Sequence, residues 1–167
     1  MSEYGSTEKL RREHLLDHFD CGKEELNRFL KRQAWASQQS HGAQTYVLPK
    51  EMRVFGYYSL AAGSVSHDEA TQRVRKGQAR HPIPVILLAR LAVDKSAHGK
   101  GLGAALLKDA LLRTARAADT IGARAVLVHA KDDAAKNFYE HFDFEPGLSD
   151  PYHLLLIMKD LLRMTGR

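Results

Sequence analysis

The stretch RLAVDKSAHGKGLGAALLKDAL, Arg90 to Leu111, carries the clearest structural pattern in this sequence. It overlaps the apolar run VILLARLAV, Val85 to Val93, which predicts a buried central strand. Three glycines follow at alternate positions (Gly99, Gly101 and Gly103), and apolar residues then recur at helical spacing. A glycine-rich turn that opens a helix exposes backbone N–H groups without partners inside that helix. The pattern therefore predicts a phosphate or pyrophosphate site; the alternative is a plain tight turn whose glycines serve chain geometry.

Further strands and helices surround this strand–turn–helix segment. Apolar spacing predicts helices from about Lys23 to Gln39 and from about Gly101 to Ala118, and a short helix in DDAAKNFYEHF. Strands are predicted in TYVLP, VFGYYSLAAGSV, ARAVLVHA and YHLLLIMK, the last followed by a short tail. The polar stretch SHDEATQRVRKGQARHPIP is predicted to be a loop with room for a short helix. This order predicts one α/β domain over residues 1–167, with a single layer of sheet covered by helices.

Length and composition narrow the class of protein. A chain of 167 residues has the size of one domain, and its net charge of +5 favours an anionic partner such as a phosphorylated cofactor or a nucleic acid. The single cysteine, Cys21, excludes an internal disulfide and fits a reducing compartment. The amino-terminal segment is polar, and no apolar run approaches membrane-spanning length. We therefore expect a cytoplasmic protein without membrane contact.

Two other phosphate-binding motifs fit the glycine segment less well. GKGLGA satisfies the dinucleotide pattern G-x-G-x-x-G/A, which requires an acidic residue at the end of the next strand, about 20 residues on. Asp119 has that spacing but lies at the end of the predicted helix, and too few residues follow the glycines for a dinucleotide domain. No Gly-Lys-Ser/Thr closes the segment, so it is not a Walker A loop.

The glycine segment resembles the pyrophosphate loop of the Gcn5-related N-acetyltransferases, the GNAT family. That loop has Gln or Arg, two variable residues, Gly, one variable residue and Gly or Ala, and HGKGLG departs from it only at His98. The segments FDCGKEELNRFL, VFGYYSLAAGSV, PIPVILLARLAVD, GKGLGAALLKDAL and VHAKDDAAKNFYEHFDFEP resemble, in order and spacing, the toxin branch of bacterial type II toxin–antitoxin pairs. A second departure is Asp143, which stands where a glycine usually precedes the last Phe.

The resemblance implies a fold and a cosubstrate. The fold is the GNAT fold, a mixed central β-sheet flanked by helices whose central strands splay apart. The cosubstrate is acetyl-CoA, and no metal is implied. The residues implied to bind acetyl-CoA are Leu91, Ala92, Val93, His98, Gly99, Lys100, Gly101, Leu102, Gly103, Ala104, Asn137 and Phe138. For Asn137 the alternative is a solvent-facing helix residue.

Acetyl transfer places charge first on the carbonyl oxygen and then on the leaving sulfur. Backbone donors can stabilise the first charge, and an acid that stays protonated near neutrality can serve the second. The resemblance assigns that acid to Tyr139; the alternative is an amphipathic helix residue whose hydroxyl reaches solvent. No residue is nominated as general base. This favours an α-amine substrate, which is partly unprotonated near neutrality, over a lysine.

The toxin branch implies that the acceptor is the α-amine of an aminoacyl-tRNA, whose acetylation blocks translation. A tRNA requires cationic contacts, and the candidates are Lys31, Arg32, Arg73, Arg75, Lys76 and Arg90. For the loop residues the alternative is a solvated surface. Arg90 interrupts an apolar strand, so it requires a partner or a cavity.

The resemblance also implies partners: a ribbon-helix-helix antitoxin, a second copy of this chain in a homodimer, and promoter DNA bound only through the antitoxin complex. Two other classes remain open, namely an acetyltransferase for a small-molecule or protein amine and a non-catalytic acyl-CoA or RNA-binding module. His14 and His18 lack the Glu of a metalloprotease motif, and we expect a half-exposed segment there. We expect structural roles for Cys21, Trp35 and His129.

Overall fold

The computed structural model describes residues 4–165. Seven strands form a mixed sheet in the order β1-β2-β3-β4-β5-β7-β6. In chain order the strands are β1 Glu8–Lys9, β2 Gln44–Lys50, β3 Arg53–Val65, β4 Ile83–Val93, β5 Ala125–His129, β6 Glu145–Pro146 and β7 His153–Ile157. The α-helices are α1 Glu24–Arg28, α2 Ala34–Gln39, α3 Gln72–Arg75, α4 Leu102–Thr120, α5 Asp133–His141 and α6 Met158–Met164.

Strand pairing confirms the predicted mixed sheet. Pairing is antiparallel for β1 with β2, β2 with β3, β5 with β7 and β6 with β7, and parallel for β4 with β5. The parallel pairing covers Val85–Leu88 and Ala125–Val128. Strand β4 continues past this stretch to Val93. The parallel register thus ends at Leu88, before Leu91–Val93, where the resemblance places the splayed part of the strand.

Four elements differ from the sequence prediction. The first helix is divided, because a π-helical turn, Phe29–Gln33, separates α1 from α2. The chain after β7 forms α6, although we predicted that the strand extends to Lys159 and a short tail follows. The reason is burial at helical spacing, since Met158 and Leu161 both face the core. The two-residue strands β1 and β6 are too short to show a periodic pattern.

The chain divides into two compact units. The first contains the described residues up to Ala61 together with Ala89–Ala110, and the second contains Ala62–Leu88 and the described residues from Leu111 onward. The core of the first unit is formed by Leu10, Phe19, Leu26, Phe29, Leu30, Ala34, Val47, Val54, Tyr57 and Ala92. The core of the second is formed by Val65, Ala70, Val74, Ile83, Val85, Ala125, Leu127, Leu155 and Ile157.

In the first unit, helices cover both faces of the sheet. Adjacent residues of β3 point to opposite faces. The Tyr57 hydroxyl donates to the carbonyl of Leu26 on α1 at 2.7 Å, whereas the Tyr58 hydroxyl donates to the carboxylate of Asp109 on α4 at 2.6 Å. We call the side of the sheet toward which Tyr57 points the α1 face, and the side toward which Tyr58 points the α4 face. Within residues 4–165, no helix combines the length and apolar character that a membrane span requires.

Candidate active site

The end of β4 is held in place by the carboxylate of Asp94. It accepts hydrogen bonds from the Ser96 backbone N–H at 3.0 Å, the Ser96 hydroxyl at 2.6 Å and the Asp20 backbone N–H at 2.8 Å. Burial favours the neutral acid, but these bonds outweigh it and lower the pKa of Asp94. Asp94 thereby caps the short 3₁₀ turn Lys95–Ala97 that leads into the glycines. Sequence reasoning missed this residue, although an aspartate two positions before a serine is typical of such a turn.

The glycine loop has the backbone that only glycine adopts readily. Gly99 and Gly101 have φ angles of 79° and 76°, in the left-handed region. A Cβ atom at either position would meet nothing within 4 Å, so conformation and not packing requires the glycines. Helix α4 begins directly afterwards at Leu102, and the first N–H groups of a helix lack partners inside it. Open space beside these donors suits an approaching anion.

His98 is bound by the last residue of β4. Its Nε2 lies 2.7 Å from the Val93 carbonyl oxygen, and because a carbonyl only accepts, Nε2 carries the hydrogen. The exposed ring thus links the loop back to the end of β4. Lys100, two residues further on, places Nζ 3.5 Å from the Tyr4 hydroxyl. Of the three strand residues implied to contact acetyl-CoA, Ala92 is buried, and Leu91 and Val93 are partly exposed.

Tyr139 lies on α5, in the second unit. The side chain of Asp132 caps this helix by accepting from the Ala135 N–H at 2.8 Å. The Tyr139 ring packs edge-on against Phe138 and Phe144, and burial raises the pKa of its hydroxyl to about 12. Within residues 4–165 the hydroxyl makes no hydrogen bond. Tyr139 is therefore protonated throughout the neutral range, with its O–H available to a ligand.

The other predicted residues of α5 differ in exposure. Asn137 is exposed on the helix surface, which suits either a ligand contact or a solvent-facing residue. Phe138 is half-buried and packs on Tyr139 and Phe142. Phe138 thus contributes to fixing the Tyr139 ring.

Arg73 is engaged in ion pairs of the second unit. Its guanidinium donates to both carboxylate oxygens of Asp160, at 2.7 and 2.8 Å, and to Glu145 at 3.0 Å. These acids raise the pKa of Arg73 further above its usual range. Helix α3 is also fixed by Arg124, which donates to the carbonyls of Val74, Arg73 and Lys76. Arg73 therefore links α3 to α6 through Asp160 and to β6 through Glu145.

The remaining cationic candidates are placed differently. Arg75 is half-buried and Lys76 is exposed at the end of α3. Lys31 and Arg32 are exposed on the π-helical turn of the first unit. The Arg90 guanidinium carbon lies 3.7 Å from the centroid of the Phe29 ring. Arg90 thus has the partner that its position in an apolar strand required, and that partner is an aromatic ring.

The paired histidines near the amino terminus have structural roles. The segment from His14 to His18 is half-exposed as predicted, since His14 is buried while Leu15 and Asp17 are exposed. His14 Nε2 lies 2.6 Å from a Glu8 carboxylate oxygen, and its Nδ1 accepts from the Arg11 N–H. His18 Nε2 lies 2.9 Å from the Val54 carbonyl. The described residues contain no group of three or more His, Cys, Asp or Glu side chains arranged to hold a metal ion.

The other side chains considered in the sequence are packed. Burial raises the pKa of the Cys21 thiol, which disfavours the reactive thiolate. Trp35 packs against the core of the first unit. His129 stacks on His153 with ring centroids 4.1 Å apart, and burial lowers the pKa of His129. The stacking partner, His153, was not anticipated from the sequence.

A family model described as an acetyltransferase (GNAT) domain matches residues 41–146. The chain therefore belongs to the GNAT acetyltransferase family, and the resemblance, the GNAT fold and the enzyme class are confirmed. Among curated relatives, the tRNA-acetylating toxin of Mycobacterium tuberculosis is 45% identical over 166 residues, which cover 99% of each chain.

Solved structures of the same fold come from toxin–antitoxin toxins. A tyrosine-to-phenylalanine mutant of KacT superposes with a TM-score of 0.89 at 25% identity, covering 95% of this chain and 98% of that one. AtaT complexed with acetyl-methionyl-tRNAfMet gives a TM-score of 0.87 at 27% identity, covering 96% and 98%. An AtaT mutant bound to acetyl-CoA and the C-terminus of the antitoxin AtaR gives 0.83 at 27% identity, covering 97% and 98%.

Proposed function

We propose that this protein transfers the acetyl group of acetyl-CoA to the α-amino group of an aminoacyl-tRNA and thereby inhibits translation. The observation that carries the proposal is the 45% identity to a tRNA-acetylating toxin along almost the full length of both chains. The complex of AtaT with acetyl-methionyl-tRNAfMet, a protein of the same fold, supports the same acceptor. An intact glycine loop and a protonated Tyr139 favour catalysis over a non-catalytic binding module.

The glycine loop fits the phosphates of acetyl-CoA. Its two left-handed glycines leave open the space that a Cβ atom would occupy, next to the start of α4. Backbone groups of Leu91, Ala92 and Val93 would hold the pantetheine arm, and the pyrophosphate would lie against residues 98–104. Asn137 and Phe138 complete the proposed contacts. When bound, acetyl-CoA supplies an activated acetyl thioester.

Tyr139 is the proposed acid, and it holds its proton at Oη. A hydroxyl with a pKa of about 12 donates a hydrogen bond at every physiological pH. On the acceptor side, an α-amine with an ordinary pKa near 7.7–8.0 is partly neutral at pH 7, whereas a lysine near 10.4 is almost fully protonated. An α-amine can therefore attack without a general base that removes a proton beforehand.

The remaining assignments complete the proposal. Exposed Lys31, Arg32 and Lys76, with half-buried Arg75, contact tRNA phosphates. A cognate antitoxin neutralises the enzyme, as the AtaT–AtaR and KacTA–DNA complexes support. We further propose a ribbon-helix-helix antitoxin, binding to promoter DNA only through the antitoxin complex, a homodimer, a single catalytic domain over residues 1–167 and a cytoplasmic location.

The deciding experiment supplies labelled acetyl-CoA to a pool of charged tRNA. Deacylated tRNA, free amino acids and a lysine-containing protein are the controls. We expect label on charged tRNA alone, released together with the amino acid when the ester is hydrolysed at mild alkaline pH. Label on free amines or protein lysines, with none on charged tRNA, would replace this proposal with a small-molecule or protein acetyltransferase.

A further inference from the structure

Arg90 is a half-buried arginine whose guanidinium stacks on an aromatic ring. Its central carbon lies 3.7 Å from the Phe29 ring centroid, well within the range of a cation–π contact. Within residues 4–165 it makes no hydrogen bond and no ion pair. A guanidinium carries five N–H donors, and none of the Arg90 nitrogens is among the described buried polar atoms that lack a partner, so these donors reach solvent. The ring contact thus fixes the orientation of the side chain, and its N–H groups are accessible to a ligand.

The stacking partner belongs to an irregular part of the first helix. Phe29 is the first residue of the π-helical turn Phe29–Gln33, and its ring also stacks on Tyr57 at 6.3 Å. Single π turns inside α-helices are frequent at functional sites. The same turn presents Lys31 and Arg32 to solvent and contains no acidic residue. Arg90, Lys31 and Arg32 are therefore all positively charged, and the turn itself carries no carboxylate that would neutralise them.

The face of the sheet distinguishes this position from the acetyl-CoA loop. Ala92 packs in the same cluster as Phe29, and Arg90, two residues earlier on β4, points to the same side. This is the α1 face, toward which Tyr57 points. The glycine loop instead leads into α4, which covers the opposite face. Arg90 is therefore placed to bind a group other than the pyrophosphate of acetyl-CoA.

We infer that Arg90, held on the Phe29 ring, binds a phosphate near the acceptor end of the RNA substrate and so selects an aminoacyl-RNA over a free amino acid derivative. This inference rests on the proposed function. A planar guanidinium with its hydrogen-bonding edges available matches phosphate oxygens in a bidentate manner. Lys31 and Arg32 extend the contact to neighbouring phosphates. Arg90 thus contributes substrate specificity through binding, and it takes no part in proton transfer.

The test uses Arg90→Gln and Arg90→Lys, with Arg116→Gln as a control on an exposed arginine of α4. Binding of deacylated tRNA is measured against salt concentration, because each lost phosphate contact lowers the salt slope by about one. We expect Arg90→Gln to weaken tRNA binding about tenfold or more and to lower the slope by about one. Arg90→Lys, which keeps the charge but loses the planar fork, should fall between wild type and Arg90→Gln. The tRNA affinity of Arg116→Gln should stay within about twofold of wild type. The dissociation constant for acetyl-CoA should likewise change less than about twofold in the Arg90 variants.

Kinetics separate RNA selection from a structural role. For Arg90→Gln we expect a raised KM for aminoacyl-tRNA and for an aminoacyl trinucleotide ending in CCA, with kcat nearly unchanged. Aminoacyl-adenosine, which has no phosphate, should react equally with wild type and variant. An unchanged tRNA affinity and salt slope, or an equal loss with all three acceptors, would overturn the inference. If Arg90→Gln does not fold, Arg90→Lys decides by the same measurements. Failure of wild type to acetylate aminoacyl-tRNA would instead remove the proposed function, and the binding measurement would still test the phosphate contact.

Discussion

Replacing Tyr139 by phenylalanine isolates one hydroxyl group. The phenylalanine ring keeps the edge contacts with Phe138 and Phe144, whose centroids lie 5.2 and 5.4 Å away. Within residues 4–165 the hydroxyl makes no hydrogen bond, so its removal leaves no donor or acceptor unsatisfied. The variant should therefore fold with a Tm close to that of wild type. A change in activity then reports on chemistry.

The raised pKa decides how large the change should be. Complete proton transfer from a hydroxyl of pKa about 12 to an ordinary thiolate, of pKa about 8.5, is uphill by roughly 3.5 pKa units, or about 5 kcal/mol. Tyr139 is therefore expected to act chiefly by donating a hydrogen bond to the charge that develops on sulfur. A hydrogen bond to a charged group contributes about 1.5–3 kcal/mol, which corresponds to a loss in kcat of roughly ten- to 150-fold.

The assay is single-turnover acetyl transfer to aminoacyl-tRNA at saturating acetyl-CoA, with acetyl-CoA affinity measured separately by calorimetry. The affinity should change less than about twofold. Tyr152→Phe is the matched control, because it removes an exposed hydroxyl that donates to Asp133. Unchanged turnover in Tyr139→Phe would refute a role as acid, and a loss confined to acetyl-CoA affinity would make the hydroxyl a binding group. A loss above about a thousandfold would show that full proton transfer limits the rate.

Three further predictions follow from individual residues. Gly101→Ala places a Cβ atom on a backbone with φ 76°, which costs about 1–2 kcal/mol of strain, and calorimetry should show the Kd for acetyl-CoA raised by roughly five- to 30-fold. Gly122→Ala is the control, because Gly122 also has open space around it but no positive φ, and this variant should leave the Kd unchanged. Gly147→Ala brings a Cβ atom to 2.8 Å from the Glu69 carbonyl oxygen and 3.0 Å from the His153 carbonyl oxygen. Urea unfolding should show the free energy of unfolding lowered by about 1–3 kcal/mol, and wild-type stability would mean that both backbones move aside. Hydrogen bonds from Gly22, Asn27 and Lys95 lower the pKa of Asp20 to about 2, so Asp20 stabilises the fold above the unfolded pKa near 4, and this contribution is lost as pH falls toward 2. Asp20→Asn should therefore flatten the fall in Tm between about pH 4 and pH 2, and an unchanged slope would contradict the assignment.

The sequence predicted the fold best where local chemistry determines it. The apolar run into Val93, the glycines and the helical spacing after Leu102 all lie within one short stretch, and β4, the loop and α4 form as predicted. The π-helical turn at Phe29 and helix α6 were missed, because packing against distant residues and not local propensity decides them. A similar limit applies to the site. Arg90 was identifiable as an exception in an apolar strand, but its partner Phe29 lies far away in the sequence.

The resemblance to the toxin branch is the source of the proposed role of Tyr139, which local pattern alone does not provide. Tyr139 follows a helical pattern that many buried tyrosines share, and only the family motif distinguishes it as an acid. Conversely, the family motif gives no account of His98, which the structure shows donating to the Val93 carbonyl. A histidine that donates to the preceding strand cannot be predicted from a family pattern that has Arg or Gln at that position.

The chemistry expected of this enzyme places few demands on acid–base groups, and this bears on where substrate choice arises. In the proposed mechanism, a partly neutral α-amine attacks without prior deprotonation, and Tyr139 contributes one hydrogen bond with a protonated hydroxyl. Neither feature distinguishes an aminoacyl-tRNA from another α-amine of similar pKa. Discrimination must then come from binding energy at groups remote from the reacting atoms, which for RNA means the phosphates. Cations with free hydrogen-bonding edges, above all Arg90 on its aromatic support, are therefore where a change of acceptor preference should be sought.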